Sequence, residues 1–330
     1  MNFRSLVVAL VVLLAPVTLL AQRPQTIQLG SILPANSVYD RGLKQMAADI
    51  QRDTDGRVRV RVRSGGSTDE ATLARRLRAG RPQAAVFVQP SEVAEAFNVL
   101  GIPFFFESLD EALHVVEKLT PTFEEALADE GLVLLNFGFG GWLHFFTADR
   151  VETLNQLKET KLFTTAGDEK MLQWYKQNGF DPEPLAITDV LLGLSTGLIN
   201  AYPSPPYTAL LLGWYDEAPF MIDVPLAPLL GITVVTERAW GRISDEDQQI
   251  IRASAKRFDD ALRRDSPAQE RSSIDEMKAR GLTVVELDDG VKVSLRQTAD
   301  QMTASWRGTM IPPDVYDLAV RERDAFRASR

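Results

Sequence analysis

The chain has 330 residues with no cysteine, and its 36 basic and 45 acidic side chains give a net charge of −9. Without cysteine, disulfides, thiolate metal sites and a cysteine-linked lipid anchor are excluded. The acidic balance argues against nucleic acid or an anionic membrane surface as partner, and 45% hydrophobic with 25% charged residues is the composition of a globular protein.

Residues 1–21 carry one charge, Arg4, followed by apolar runs at 6–14 and 17–20 and small Ala21 as a cleavage position. This is the pattern of a secretory signal peptide. Pro16 interrupts it, and a spanning helix needs about 20 apolar residues. We therefore expect export, cleavage near Ala21 and a soluble mature chain, its charge near −10 once Arg4 is removed. The roughly 310 residues that remain exceed one ordinary core and predict two domains.

Residues 26–32 predict a strand and 34–38 a loop. Leu43, Met46, Ala47 and Ile50 then repeat at helical spacing, and 57–63 returns to two-residue alternation, a β-loop-α-β unit. In that last run, RVRVRVR, valines take one face and arginines the other; a solvated strand face explains the basic stripe without a partner. A helix at 71–78, a strand at 84–88, a helix at 112–119 and a strand at 132–137 continue the alternation. It points to parallel α/β sheets, whose ligands gather beyond the carboxyl ends of strands. The loops so placed are 34–39, 65–68, 89–91 and 138–144. The GFGGW run in the last of these lacks the spacing and charge partners of a phosphate loop.

In the second half, a short strand near 161–164 and a helix at 169–177 precede LAITDVLLGLSTGLINAYPSP, residues 185–205. That segment reads as a short amphipathic helix entering a proline-punctuated, ligand-facing turn that carries Asn200, Tyr202 and Ser204. Ser244, with Asp247 three residues on, predicts the cap of a long helix through Ile250, Ile251 and Phe258. Beyond about 30 residues such a helix would extend roughly 45 Å, enough to cross two lobes. Pro267 is a place for it to kink or divide. Residues 297–330 predict one or two closing helices, broken at Pro312 and Pro313.

Gly193 to Gly197 spell G-x-S-x-G, but a nucleophile elbow needs a strand before the serine and a histidine after it. Here Val190, Leu191, Leu194 and Leu198 keep helical spacing, and both histidines, His114 and His144, precede Ser195. We expect no enzyme. Two histidines 30 positions apart assemble no metal site. The acidic runs at Asp245 to Asp247 and Asp288 to Asp289 suit a helix start and a turn, without the order of a calcium loop. No metal or other cofactor is expected. His144, in WLHFF near a strand end, is the histidine placed toward a cleft.

The order of these features resembles the solute-binding proteins of tripartite ATP-independent periplasmic (TRAP) transporters, over about residues 27–261. GLKQMAADIQRDTDGRVRVRV is similar to that family's first helix and second strand, and LARRLRAGRPQAAVFV to its third unit. VLGIPFFFESLDEALHVVEKL resembles its leucine-proline-phenylalanine stretch, and LNQLKETKLF its "DLKGLKIR" run. ITDVLLGLSTGLINAYPSP resembles "EVYTALQTGVVDGQENP", and WGRISDEDQQIIRASA the tryptophan-to-helix segment that follows.

The resemblance implies an α/β, two-lobed periplasmic-binding-protein-like fold with a long helix crossing both lobes. Lobe I is expected at 22–145 and 231–262, and lobe II at 146–230 and 263–330 with the C-terminal helices. It further implies a periplasmic receptor that closes on a small-molecule ligand and delivers it to the membrane subunits of a TRAP permease. An exported receptor or scaffold of the same fold, with a sensor or another periplasmic partner, is the other class left open.

The family holds its solute's carboxylate with an arginine at the end of "KIR", a task suited to the planar guanidinium. Here that position is Phe163, and a second family arginine falls at Leu143, or at His144 if the stretch shifts by one residue. A buried carboxylate without a partner costs several kcal/mol. We therefore expect an uncharged, substantially apolar, lipid-like ligand. Trp142, Phe145, Phe163, Ile187, Tyr202, Tyr207 and Trp214 are the expected walls, and Ser37, Gln89 and Ser204 the polar tips. The rival is an organic acid held by Arg41 or Arg150 in place of the missing arginines. In the 199–205 stretch, the family's "VDG" becomes Ile199, Asn200 and Ala201, and its "QENP" becomes Tyr202 to Pro205, which again lowers polarity.

Overall fold

The computed structural model describes residues 24–65 and 69–330. The expected leader and loop residues 66–68 lie outside the described residues. Two sheets organise the chain. The first has strand order β2-β1-β3-β10-β4, built from β1 (Gln25–Ser31), β2 (Val58–Ser64), β3 (Ala84–Phe87), β4 (Leu132–Trp142) and β10 (Pro228–Thr236). The second has order β11-β9-β5-β8-β6-β7, built from β5 (His144–Thr147), β6 (Lys161–Thr165), β7 (Asp181–Leu185), β8 (Ala201–Ser204), β9 (Phe220–Ile222) and β11 (Thr283–Val285).

Local sequence explains most of the first sheet. β1 pairs in parallel with β2 and with β3, joined by helices that the 3.6-residue period marks out. β2 is an edge strand, and Arg59, Arg61 and Arg63 on it are exposed. β10 departs from the parallel expectation, running antiparallel to both β3 and β4. It arrives from the second sheet through the short stretch 223–227 and not through a crossover helix, so it enters in the opposite direction. Gly231 on β10 is required: a Cβ there would lie 2.6 Å from the Phe87 carbonyl oxygen.

The polypeptide passes between the sheets where β4 becomes β5 at Leu143, at 223–227, and along the helix Asp245–Ala279. Ser244 caps that helix, its hydroxyl accepting the Asp247 N–H at 3.2 Å. Arg57 from the first lobe places Nη2 2.7 Å from Asp247 Oδ1, and this hydrogen bond holds the Asp247 carboxyl below its usual range. At 35 residues the helix spans about 52 Å. It packs on β4 and the helix Val38–Asp53 in one lobe and on the helix Pro206–Leu211 in the other. Pro267 does not divide it, because Leu262 and Ser266 before the proline and Ser273 and Met277 after it are all buried against the lobes.

Two other elements differ from expectation. The anticipated turn through Tyr202 and Ser204 is β8, held inside the second sheet by antiparallel pairing with β5. The closing helix Pro313–Ala328, grouped above with lobe II, packs on the helix Leu109–Asp129. There Trp306, Ile311 and Val315 join the core of the first lobe, and Arg327 Nε donates to Glu111 Oε1 at 2.5 Å. Among the described residues, no helix is long and apolar enough to cross a membrane.

Candidate ligand-binding cleft

A cleft of about 680 Å³ lies between the sheets, inside the size range of small-molecule sites. The first lobe contributes Ser37 and Tyr39 at the start of the helix Val38–Asp53, Val88 to Ser91 after β3, and one face of β4 and β10. The second contributes the end of β6 at Phe163 to Thr165, the short helices around Ile187, Leu191 and Leu211, and Trp214. Glycines open the floor: a Cβ at Gly140 would meet Leu229 at 2.8 Å and the Tyr39 hydroxyl at 3.0 Å. The GFGGW run is thus strand backbone that makes room for side chains from the facing wall.

Of the residues expected at the site, Ser37, Gln89, Leu143, Phe163, Ile187, Ser204, Tyr207 and Trp214 line the cleft. Trp142, His144 and Tyr202 do not. Trp142 packs edge-on to Phe139, with ring centroids 6.4 Å apart. Tyr202 is fully buried, stacked on Phe146 at 5.2 Å, because β8 is a central strand and not a turn. His144 is buried at the lobe crossing, its Nδ1 donating to the Ile222 carbonyl at 3.1 Å. Phe145, also expected as a wall, faces a separate cavity beside the cleft.

The expected polar tips are already engaged. The Ser37 hydroxyl accepts the Asp40 N–H at 3.2 Å, and the Ser204 hydroxyl donates to the Pro205 carbonyl at 3.0 Å. Gln89 Nε2 donates to Thr165 Oγ1 at 3.2 Å, while the Tyr207 hydroxyl accepts the Val38 N–H, also at 3.2 Å. These last two contacts tie one lobe to the other across the cleft.

Among the described residues lining the cleft there is no arginine, lysine or histidine, and Asp168 is the one charged side chain. Arg41 donates to the Asn36 carbonyl, and Arg150 to Glu152 at 2.8 Å; neither lines the cleft. Asp168 caps the helix Glu169–Gln177, accepting the Met171 N–H at 3.0 Å, and burial pushes its carboxyl up. Behind the Gln89 loop, burial pushes Glu70 up to about 8, although the Val88 and Gln89 N–H groups donate to it at 2.6 and 2.7 Å. Burial also raises Glu92, and the neighbouring Asp168 charge adds to that effect. An anion entering this space meets the Asp168 carboxyl and no basic side chain among the described residues that line it.

Sequence reasoning missed Tyr39, Asp168 and Trp306 at the wall. Trp306 comes from the C-terminal segment, far along the chain from the motifs that marked the cleft. Its Nε1 and Thr164 Oγ1 are buried without a hydrogen-bond partner. Ser195 ends the helix Val190–Ser195, its hydroxyl donating to the Leu192 carbonyl at 3.1 Å, so the G-x-S-x-G run forms no strand-to-helix elbow. Among the described residues, no group of three or more histidines and carboxylates is placed to hold a metal ion.

Two α/β lobes joined by strand crossings and one long helix, closing on a cleft, define an extracytoplasmic solute receptor. The chain belongs to the bacterial extracellular solute-binding proteins, family 7, whose model matches residues 29–308; these are the periplasmic receptors of TRAP transporters, which bind small molecules and work with membrane permease subunits. It is similar to a solute-binding protein of Chromohalobacter salexigens, 27% identical over 301 residues, covering 88% of this chain and 84% of that one. It is also similar to the ectoine-binding periplasmic protein TeaA of Halomonas elongata, 24% identical over 67% of this chain and 62% of TeaA. Among solved structures, a TRAP periplasmic solute-binding protein of Ochrobactrum anthropi has a TM-score of 0.82 at 21% identity, covering 93% of this chain and 97% of that one. Another, from C. salexigens with bound D-glucuronate, has a TM-score of 0.80 at 22% identity, covering 91% and 99%.

Proposed function

We propose that this chain, exported and cleaved near Ala21, captures an uncharged, substantially apolar and lipid-like solute between its lobes and delivers it to a TRAP permease. The observation that carries the reading is the absence of any basic side chain among the described residues of the cleft wall. Phe163 stands where the family resemblance calls for a guanidinium group, and Leu143, or His144 if the stretch shifts by one residue, where it calls for a second. Without a cation, an ionised carboxylate would lose its water and gain no partner. An apolar solute instead gains about 25 cal/mol for each Å² it buries. Closing the lobes adds the bridges Gln89 to Thr165 and Tyr207 to Val38, so a ligand that favours closure shifts the population toward the form the permease would read. Catalysis has no part in this reading.

The rival is an organic acid, because similar structures hold acids such as D-glucuronate. For that, Arg41 or Arg150 would have to leave its present partner and turn inward. An exported receptor signalling through a sensor would use the same cleft with a different membrane protein. Recovering the protein from its host, denaturing it and identifying the released molecules by mass spectrometry tests the reading. Neutral, apolar molecules are expected; a released sugar acid or other carboxylate would overturn it.

A further inference from the structure

Beside the cleft lies a second cavity of about 50 Å³, which shares Pro103, Tyr175 and Leu226 with the cleft wall. Phe145, Leu295 and Ala299 are among the other residues that line it. Four residues with polar side-chain atoms reach its lining, Glu152, Thr153, Trp174 and Tyr175; Trp174 Nε1 donates to the Met302 carbonyl at 3.2 Å, and Glu152 and Thr153 are also engaged. Glu152 takes the Arg150 guanidinium at 2.8 Å, and the Thr153 hydroxyl accepts the Gln156 N–H at 3.2 Å. A buried water needs two to four polar partners, so this space does not favour water. Native interiors leave few such gaps.

The partition between the two spaces is built with strain. Phe104, next to Pro103, is a bulky residue in the left-handed region at φ 57, a conformation disfavoured for its side chain. It is pinned there by its N–H donating to the Leu226 carbonyl at 2.6 Å. This bond ties the shared lining to the crossover stretch that also links the lobes.

We propose that this chamber is a tail subsite, taking the end of an unbranched hydrocarbon chain that passes between Pro103, Tyr175 and Leu226 while the rest of a neutral amphiphile lies in the cleft. The proposal rests on the apolar reading of the cleft and refines it to a ligand with a straight alkyl chain. Each methylene that enters a dry apolar space tightens binding roughly fourfold.

Equilibrium dialysis of the mature protein against 1-hexanol, 1-octanol, 1-decanol and 1-dodecanol, quantified by gas chromatography, tests it. In the unmutated protein affinity should climb with chain length. In Ala299→Phe, which fills the chamber, 1-hexanol should bind as before, while the gain for the longer alcohols is lost. Leu295→Phe makes a smaller intrusion on the same helix and should shorten the series less; retained hexanol binding reports that each variant is folded. If both variants keep the full length dependence, the chamber holds no tail and the apolar cleft stands. If no alkanol binds the unmutated protein, the apolar reading fails and the tail subsite with it.

Discussion

His144 Nε2 stands 3.5 Å from Glu270 Oε1, so an imidazole at the strand crossing faces a carboxylate on the helix that also joins the lobes. His144 Nδ1 reaches the Ile222 carbonyl, where the second crossover begins, and Glu270 Oε2 accepts the Trp142 N–H at 3.4 Å. The two strand crossings and the long helix thus meet at one polar cluster. Glu270→Ala leaves the Trp142 N–H without its acceptor and removes the carboxylate beside His144; losing a buried hydrogen-bond partner costs about 1–3 kcal/mol. Thermal unfolding should show a clear fall in midpoint. An unchanged midpoint would mean the cluster contributes nothing to the hinge.

The close approach of Gly231 to the Phe87 carbonyl sets a second expectation. A Cβ 2.6 Å from a backbone oxygen forces β10 away from β3, and overpacking of this kind costs about 1–3 kcal/mol. Gly231→Ala should lower stability toward urea by that order. Because β10 lines the cleft, ligand affinity should fall with it.

Removing the bridging hydroxyl with Tyr207→Phe leaves the Val38 N–H without its partner across the cleft. The closed form loses about 1 kcal/mol relative to the open one. Apparent affinity for an apolar ligand should drop about fivefold, and small-angle scattering should report a larger radius of gyration. Unaltered affinity and size would show that the bridge does not bias closure.

Glu70 gives a pH dependence whose direction follows from burial. Its folded carboxyl is pushed up to about 8 from an ordinary 4.5, so between those values the folded state holds more protons than the unfolded one. Its contribution to stability is fully present below pH 4.5 and is lost as pH rises through 8, at most about 1.4 kcal/mol per pH unit. Urea unfolding from pH 5 to 8 should show this decline, and Glu70→Gln should flatten it. Equal slopes in both proteins would contradict the account.

Period and capping carried much of the fold in the sequence itself. RVRVRVR reads as a strand with a wet face because alternation is a local property, and Ser244 with Asp247 announces the long helix within one turn. β8 escaped notice because Pro203 and Pro205 read as a turn, while pairing with β5, more than 50 residues away, makes a strand of Tyr202 and Ser204. The same distance problem hid Trp306: nothing in its neighbourhood says that a C-terminal turn folds back to the cleft wall. Motif position points to Phe163 and Leu143, which line the cleft, whereas His144 is buried at the lobe crossing, because a strand end and a lobe crossing look alike in sequence.

The central claim is that a wall with no basic side chain among its described residues selects against carboxylates. Equilibrium dialysis of the unmutated protein against 1-octanol and octanoate at pH 8, beside Phe163→Arg, tests it most directly, since the two probes share a chain and differ in charge. The account predicts that the unmutated protein binds the alcohol well ahead of the ionised acid, and that Phe163→Arg weakens the alcohol and narrows or reverses the preference. Tight binding of octanoate, or of D-glucuronate, by the unmutated protein would contradict it.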